Sequence, residues 1–299
     1  MQSKSLLIII TLTLVVQSMS AQDFQLIERG ARVKKLADGF KFTEGPAVDP
    51  QGNVYFTDQP NNRILKWNVE KEELEVFMED AGRANGLYFD QDGNLLAAAD
   101  EKNQLWKISP ETRKVKVMLK NYNKKLLNGP NDLFVDSKGG IYFTDPLYER
   151  KYWQRGPMEQ DGEHVYYLPP GKKKAVRVAT DLEKPNGIIG TPDGKTLYVA
   201  DIGAKKTYRY SIDEDGSLDD KKLFVEMGSD GMTIDHKGNI YITGKGVTVF
   251  NPAGELIGKI PIEANWTANV TFGGKERRRL FITAMDGLYA LEMAVKGVY

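Results

Sequence analysis

The chain has 299 residues, of which 41% are hydrophobic and 27% are charged, and this composition excludes a disordered or fibrous protein. Its 41 lysine and arginine residues balance 41 aspartate and glutamate residues, so no net field favours nucleic acid or an anionic membrane as a partner. The sequence contains no cysteine, which excludes disulfides, thiolate metal sites and a cysteine nucleophile.

The first residues of the chain indicate export. Lys4 precedes an apolar run from Leu6 to Val16, and small residues follow as far as Ala21. The run is shorter than the roughly 20 apolar residues that span a bilayer, and the pattern is typical of a secretory signal peptide. We therefore expect residues 1–21 to be a signal peptide, and residues 22–299 to form a single domain. The protein is then exported, periplasmic or secreted, without stable membrane insertion; a retained N-terminal anchor is the alternative.

One sequence repeat occurs six times in the remaining chain. Each copy has an acidic or amide residue, a short apolar stretch, a turn containing glycine and an alternating aromatic strand. The copies follow one another at intervals of roughly 40 to 55 residues, which is the period of a propeller blade. Turns such as residues 50–53 supply the glycine that a tight hairpin needs at positive φ. The copies begin at Glu44, Asn85, Asn131, Asn186, Asp230 and Asn269.

A second pair of strands follows each copy, so the sequence predicts an all-β, six-bladed β-propeller with four-stranded antiparallel blades. The last copy is followed by too few residues for a complete blade. We therefore expect residues 23–38 to complete it, which closes the ring and removes an open sheet edge. The third interval is the longest, and its residues 147–163 are predicted to form an insertion or lid on the active face.

The first residue of every copy carries a side-chain oxygen. In a propeller the innermost strand of each blade lines the central channel, so these six residues, here called the ring residues, are expected to face one another. Two carboxylates and four amides suit a hard cation such as Ca²⁺, which takes six to eight oxygen ligands. Asn and Asp before glycine are also ordinary turn residues, but Glu44 has no such turn role.

Other candidate chemistry is weaker. Asp58, Asp145 and Asp201 end the second strand of three copies, where they either contact the substrate or cap backbone amides. His236 lies in a predicted hairpin turn and His164 at the start of a strand, so neither suggests a catalytic triad. The chain has no nucleophile elbow, P-loop or dinucleotide motif in a suitable context. The basic runs 172–174 and 277–279 are expected to be solvated loops.

The repeats resemble the gluconolactonase and senescence-marker-protein (regucalcin) family, also described as SMP-30/gluconolactonase/LRE-like. The similar motifs are EGPAVDPQGNVYFTD, GPNDLFVDSKGGIYFTDP, PNGI, SDGMTID and NVTFGG, which occur in the order of the family between about residues 38 and 292. The resemblance implies a lactone-hydrolysing propeller with one divalent ion, Ca²⁺ or another such as Mg²⁺, Mn²⁺ or Zn²⁺. It implies that Glu44, Asn186 and Asp230 bind the metal, with Asn131 as a fourth ligand, direct or through water.

The same resemblance implies catalytic roles for Asp230, as general base, and for Asn131. Asn85, Asn131 and Asn269 are expected to bind the substrate, together with Tyr148 of the 147–163 insertion. The expected mechanism has the ion polarise the lactone carbonyl while water attacks with help from Asp230. The expected partner is therefore a small-molecule sugar lactone.

Two alternatives remain open at this point. One keeps the fold and the ion but hydrolyses another ester or a phosphotriester. The other is a non-enzymatic, secreted propeller that binds a ligand and uses calcium to brace its channel, because fold alone does not fix function. Animal members of the family often carry an arginine two residues before the equivalent of Asn131. This chain has Gly129 there, which leaves the identity of the sugar open.

Overall fold

The computed structural model describes residues 26–299. The predicted signal peptide, residues 1–21, lies outside the described residues. Strands within residues 26–299 form six four-stranded antiparallel sheets, which confirms the predicted propeller. Two short 3-10 turns, Gln59–Asn61 and Asp100–Lys102, follow strands of the first two blades. In this part of the chain no helix is long and apolar enough to cross a membrane.

Strand β1 (Lys34–Ala37) comes first in the chain but belongs to the last blade. The first blade contains β2 (Thr43–Val48), β3 (Val54–Asp58), β4 (Arg63–Asn68) and β5 (Glu73–Glu79). The second contains β6 (Ala84–Phe89), β7 (Leu95–Ala99), β8 (Gln104–Ile108) and β9 (Val115–Leu119). The third contains β10 (Leu133–Val135), β11 (Ile141–Asp145), β12 (His164–Leu168) and β13 (Val176–Ala179).

The fourth blade contains β14 (Pro185–Gly190), β15 (Thr196–Asp201), β16 (Lys206–Ile212) and β17 (Leu218–Val225). The fifth contains β18 (Met232–Ile234), β19 (Ile240–Gly244), β20 (Gly246–Phe250) and β21 (Leu256–Ile260). The sixth contains β22 (Asn269–Gly273), β23 (Arg279–Ala284) and β24 (Gly287–Glu292), with β1 paired to β24 as its outermost strand. The N-terminal segment therefore completes the last blade, as predicted.

The inner strands close into a ring. Contacts join β2 to β6, β6 to β10, β10 to β14, β14 to β18, β18 to β22 and β22 to β2. Apolar clusters fill the spaces between neighbouring blades. For example, Phe56 of the first blade and Phe281 of the sixth are fully buried in one cluster. Burial of each such side chain contributes about 1.5–3 kcal/mol, so the blades stabilise one another around the whole ring.

The inner hairpins form for local reasons. In the first hairpin the Oδ1 atom of Asp49 accepts the backbone N–H of Asn53 at 2.8 Å, and Gly52 adopts a φ of 92°. This side-chain bond fixes the turn, and the positive φ needs a residue without a Cβ. Asp90 and Asp235 make the equivalent bonds in the second and fifth hairpins. These turns lie at one end of the channel and leave the other end to the ring residues.

The prediction that residues 277–279 form a solvated loop holds for the exposed Arg278 in the hairpin turn but is wrong for Arg279. Arg279 is the first residue of β23 and forms ion pairs with Glu72 and Glu292. Arg277 donates to the backbone oxygen of Asp49 at 2.7 Å. The basic run therefore connects the sixth blade to the first, because these guanidinium groups have acidic or carbonyl partners on the neighbouring chain segments.

Candidate active site

The ring residues lie at one end of the central channel, here called the mouth. Four of them belong to the innermost strands β2, β6, β14 and β22, and the other two lie two residues before the starts of β10 and β18. Asp230 is partly exposed and the other five are buried. The six are Glu44, Asn85, Asn131, Asn186, Asp230 and Asn269.

Glycines after the ring residues allow the inner strands to approach closely. A Cβ atom on Gly45 would lie 2.1 Å from the backbone oxygen of Asn85. A Cβ atom on Gly231 would lie 1.9 Å from Cγ of Asn269. Real atoms do not approach so closely, so the backbone contact at Gly45 requires glycine, and a larger residue at Gly231 would displace the Asn269 side chain. The ring side chains are thereby held on a closely packed frame rather than on mobile loops.

Asp230 is fixed by two neutral donors. Nδ2 of Asn186 donates to Oδ1 of Asp230 at 2.7 Å, and Nε1 of Trp266 donates to Oδ2 at 2.6 Å. The same Nδ2 atom donates to the hydroxyl of Tyr148 at 2.8 Å. Hydrogen bonds to an ionised carboxylate are shorter and stronger than neutral ones. The carboxylate therefore has one orientation, and the Asn186 amide has one as well.

The Oδ1 atom of Asn186 is buried and has no hydrogen-bond partner among residues 26–299. Buried polar atoms of native proteins are normally partnered, and an unpartnered one suggests an ion or water. Its partner atom Nδ2 is already engaged by Asp230 and Tyr148, so this oxygen is available as a ligand.

Three acidic side chains crowd this end of the channel. Burial raises the pKa of Glu44 well above its usual value, and the negative charges of Asp230 and Asp132 raise it further. Burial raises the pKa of Asp132 to about 7. Burial also raises the pKa of Asp230, although the donors from Trp266 and Asn186 oppose this. Mutual repulsion of this kind is relieved by a proton or by a bound cation.

The donor set fits a divalent cation. Among residues 26–299, no three His, Cys, Asp or Glu side chains are grouped so that they could hold a metal ion. A metal here would therefore need amide oxygens as well as carboxylates. The mouth supplies both, in the carboxylates of Glu44 and Asp230 and in the unpartnered oxygen of Asn186. Such oxygen-only donors suit a hard ion such as Ca²⁺.

The side chains of Asn85 and Asn131 make no hydrogen bond within the described chain, and the Oδ1 atom of Asn269 accepts its own neighbour's backbone N–H at 2.8 Å. Asn85 and Asn131 are buried at the mouth with free amide groups. These amides can therefore bind a ligand that enters the channel.

Sequence reasoning missed Asp132 and Trp266. Asp132 follows the ring residue of the third copy, where four of the other copies have glycine, and this departure from the pattern could have identified it. Trp266 lies before β22, outside the repeat, within a sequence that resembles a glycosylation motif, Asn265–Thr267. No pattern in the repeat indicates that its indole reaches Asp230.

The three aspartates at strand ends are structural. Asp145 accepts the backbone N–H groups of Asn128 and Gly129 at 2.9 and 2.8 Å. Asp201 accepts those of Glu183 and Lys184, both at 2.9 Å. Asp58 likewise accepts the backbone N–H of Lys41 at 3.1 Å. The structure thus favours the capping alternative over contact with substrate.

The 147–163 insertion connects β11 to β12 and packs across the mouth. Its Tyr148 contacts Asn186, and its Arg150 approaches Asp100, with Nε 3.5 Å from Oδ2. Asp100 follows β7 and accepts a hydrogen bond from Nε2 of Gln59 at 2.8 Å, but from no backbone amide of residues 26–299. Burial raises the pKa of Asp100 to about 7. The insertion therefore lies on the face that carries the ring residues, as predicted.

Comparison with known proteins agrees with this fold. A family model of the SMP-30/gluconolactonase/LRE-like region matches residues 42–286. A gluconolactonase of Zymomonas mobilis is 28% identical over 288 residues, which cover 87% of this chain and 80% of that protein.

Two solved structures extend the comparison. The structure of a gluconolactonase from Xanthomonas campestris is 29% identical, with a TM-score of 0.84, and the match covers 92% of this chain and 93% of that one. A structural genomics target that bears the gluconolactonase name is 30% identical, with a TM-score of 0.87 and coverage of 94% and 99%. The chain therefore belongs to the SMP-30/gluconolactonase/LRE-like family.

Proposed function

We propose that this protein is a metal-dependent hydrolase that opens a sugar lactone, with gluconolactone as the model substrate. The observation that carries the proposal is the unpartnered, buried oxygen of Asn186 beside the fixed carboxylate of Asp230. These atoms lie in a ring of oxygen-bearing side chains at the mouth, and similar proteins of the family include gluconolactonases.

Glu44, Asn186 and Asp230 would hold the ion, with Asn131 as a fourth ligand. A bound divalent cation, for which we propose Ca²⁺, would polarise the lactone carbonyl and stabilise the charge that develops on its oxygen. Glu44 and Asp230 supply the negative charge that such an ion needs, and their raised pKa values reflect a site that favours added positive charge.

Asp230 is the group placed to take a proton. Its two oxygens are oriented by Asn186 and Trp266, and it is the one ring residue that is partly exposed at the mouth. As water attacks the carbonyl carbon, Asp230 accepts a proton from that water. The ring oxygen of the lactone leaves as the C–O bond breaks and takes the proton, which gives an open-chain hydroxy acid.

The amides of the mouth suit a polyhydroxylated substrate. Asn85 and Asn131 each offer an N–H₂ group and a carbonyl oxygen, and Tyr148 offers a hydroxyl at the inner side of the insertion. Several polar groups of this kind would be left unpartnered by an acyl chain. A sugar lactone satisfies them with its hydroxyls, and this favours a sugar over an apolar ester.

Replacement of Asp230 by Asn tests the proposal. The variant keeps the shape of the side chain but removes its basicity, so hydrolysis of D-glucono-δ-lactone should fall by roughly 100-fold or more. Full activity of this variant would exclude Asp230 as the base. Relative rates of the wild type on gluconolactone, an acyl-homoserine lactone and paraoxon decide between a sugar lactone, another ester and a phosphotriester.

We also propose that the protein is exported, with residues 1–21 as its signal peptide and residues 22–299 as the mature domain. The proposal rests on the sequence of that segment. Mass spectrometry of the protein recovered from the cell envelope or medium would give its N-terminus. A protein that retains Met1 and stays with the cytoplasmic fraction would contradict it.

A further inference from the structure

Cationic side chains surround the mouth, and nearly all of them have partners. Arg83 contacts Glu101 at 3.2 Å, and Lys184 donates to the backbone oxygen of Leu147 at 3.1 Å. Arg155 donates to the backbone oxygen of Leu127 at 3.3 Å. The fourth cation, Arg150, differs from these three. The four are Arg83, Arg150, Arg155 and Lys184.

The guanidinium of Arg150 has free hydrogen-bond donors. Within residues 26–299 its side chain donates no hydrogen bond, and its buried Nε atom has no hydrogen-bond partner, although it forms an ion pair with Asp100. Its nearest acidic group is Asp100, at 3.5 Å, which is too long for a good hydrogen bond. The side chain is 27% exposed, and a guanidinium has five N–H donors. Arg150 can therefore bind a group that enters the mouth from solvent.

Arg150 also lies beside the ring residues. Its Cζ atom is 5.1 Å from the ring centroid of Tyr148, whose hydroxyl contacts Asn186. The same Asn186 amide donates to Asp230 at 2.7 Å, so Tyr148 connects the guanidinium to the carboxylate of the site. A substrate bound over Asp230 would thus extend toward this guanidinium.

We propose that Arg150 determines specificity by binding a carboxylate on the substrate, so that the preferred substrates are sugar lactones that also carry an acid group. A planar guanidinium binds a carboxylate through two parallel N–H···O bonds. A sugar hydroxyl has a single oxygen and cannot form this pair of bonds with the guanidinium. This inference rests on the proposed lactonase function. The competing explanation is that Arg150 only anchors the insertion to Asp100.

A matched pair of substrates tests the inference. D-glucaro-1,4-lactone and D-glucono-1,4-lactone differ only at the terminal carbon, which is a carboxylate in the first and a hydroxymethyl group in the second. Wild-type kcat/KM should be higher for the glucaro compound. Arg150→Gln should lower the glucaro-to-glucono ratio of kcat/KM by roughly 10- to 100-fold, mainly through the KM for the acid, because a charged hydrogen-bonded pair is lost.

Two further variants serve as controls. Arg150→Lys keeps the charge but loses the planar pair of donors, so its ratio should fall between those of the wild type and Arg150→Gln. Lys151→Gln removes the same charge from an exposed neighbour in the insertion and should keep the wild-type ratio. Thermal unfolding of each variant reports whether the insertion and the fold remain intact.

The outcomes separate this inference from the proposed function. If Arg150→Gln lowers kcat/KM equally on both lactones, with or without a lower Tm, Arg150 is an anchor and the inference is wrong. If the wild type hydrolyses the glucono compound but not the glucaro compound, the inference fails and the lactonase function stands. If it hydrolyses no lactone, the proposed function fails and the inference fails with it.

Discussion

Replacement of Trp266 by Phe would show how far the site depends on the orientation of Asp230. The indole Nε1 donates to Oδ2 of Asp230 at 2.6 Å, and phenylalanine keeps an apolar ring without this donor. Hydrogen bonds to charged groups contribute about 1.5–3 kcal/mol. If this energy is fully expressed in the transition state, kcat/KM falls by roughly 10- to 100-fold, since about 1.4 kcal/mol equals a factor of ten.

Loss of the donor should also raise the pKa of Asp230, because the N–H group stabilises the ionised carboxylate. The acidic limb of the pH–rate profile should therefore move to higher pH. The assay is proton release from D-glucono-δ-lactone, followed with a pH indicator. Trp67→Phe is the matched control, because the buried Nε1 of Trp67 has no partner within residues 26–299. If Trp266→Phe and Trp67→Phe retain equal kcat/KM, the orienting bond is irrelevant to catalysis.

Three further changes give distinct results. Gly231→Ala forces the side chain of Asn269 to move and should lower the free energy of unfolding in urea by about 1–3 kcal/mol. Gly156→Ala, where a Cβ atom has open space around it, should leave this free energy unchanged. Equal urea midpoints for the two variants would contradict the close packing at Gly231. The pKa of Asp100 is about 7 in the fold against about 3.9 in unfolded chains, so the folded state binds its proton more tightly. Wild-type stability relative to Asp100→Asn should therefore be greatest below pH 4 and fall as pH rises through 7, by on the order of 4 kcal/mol. If the difference in Tm between the wild type and Asp100→Asn is the same at pH 5 and at pH 8, this prediction is wrong. Glu44→Gln removes a proposed ligand charge, so added Ca²⁺ should raise its Tm less than that of the wild type; equal shifts would contradict the role of Glu44.

Much of the fold follows from the sequence because the determinants of each hairpin are local. The Asp and Gly of the turn at 49–53 fix a reversal by themselves, and the same chemistry recurs at propeller intervals. The register was not predictable to the same degree. Strands β2 and β3 change register between Glu44 and Ala47, next to the contact of Gly45 with the neighbouring blade. Such irregularities depend on packing between blades, and the sequence of a single repeat does not determine that packing.

The candidate site was predictable where it follows the repeat. Equivalent positions in a ring of blades must converge, so the six ring residues could be placed together from the sequence. Trp266 could not, since it comes from a segment outside the repeat and reaches Asp230 across 36 positions of the chain. The free donors of Arg150 could not be predicted from the sequence either, because they depend on how the 147–163 insertion folds over Asp100.

The most direct test of the proposed metal-dependent lactonase is hydrolysis of D-glucono-δ-lactone by the mature protein before and after treatment with EDTA. Ca²⁺, Mg²⁺, Mn²⁺ or Zn²⁺ is then added back separately. The proposed metal-dependent mechanism requires turnover that EDTA abolishes and that a divalent ion restores, with Ca²⁺ effective. Turnover that survives complete removal of metal would contradict a metal-dependent site, and absence of turnover with every ion would contradict hydrolysis of this lactone.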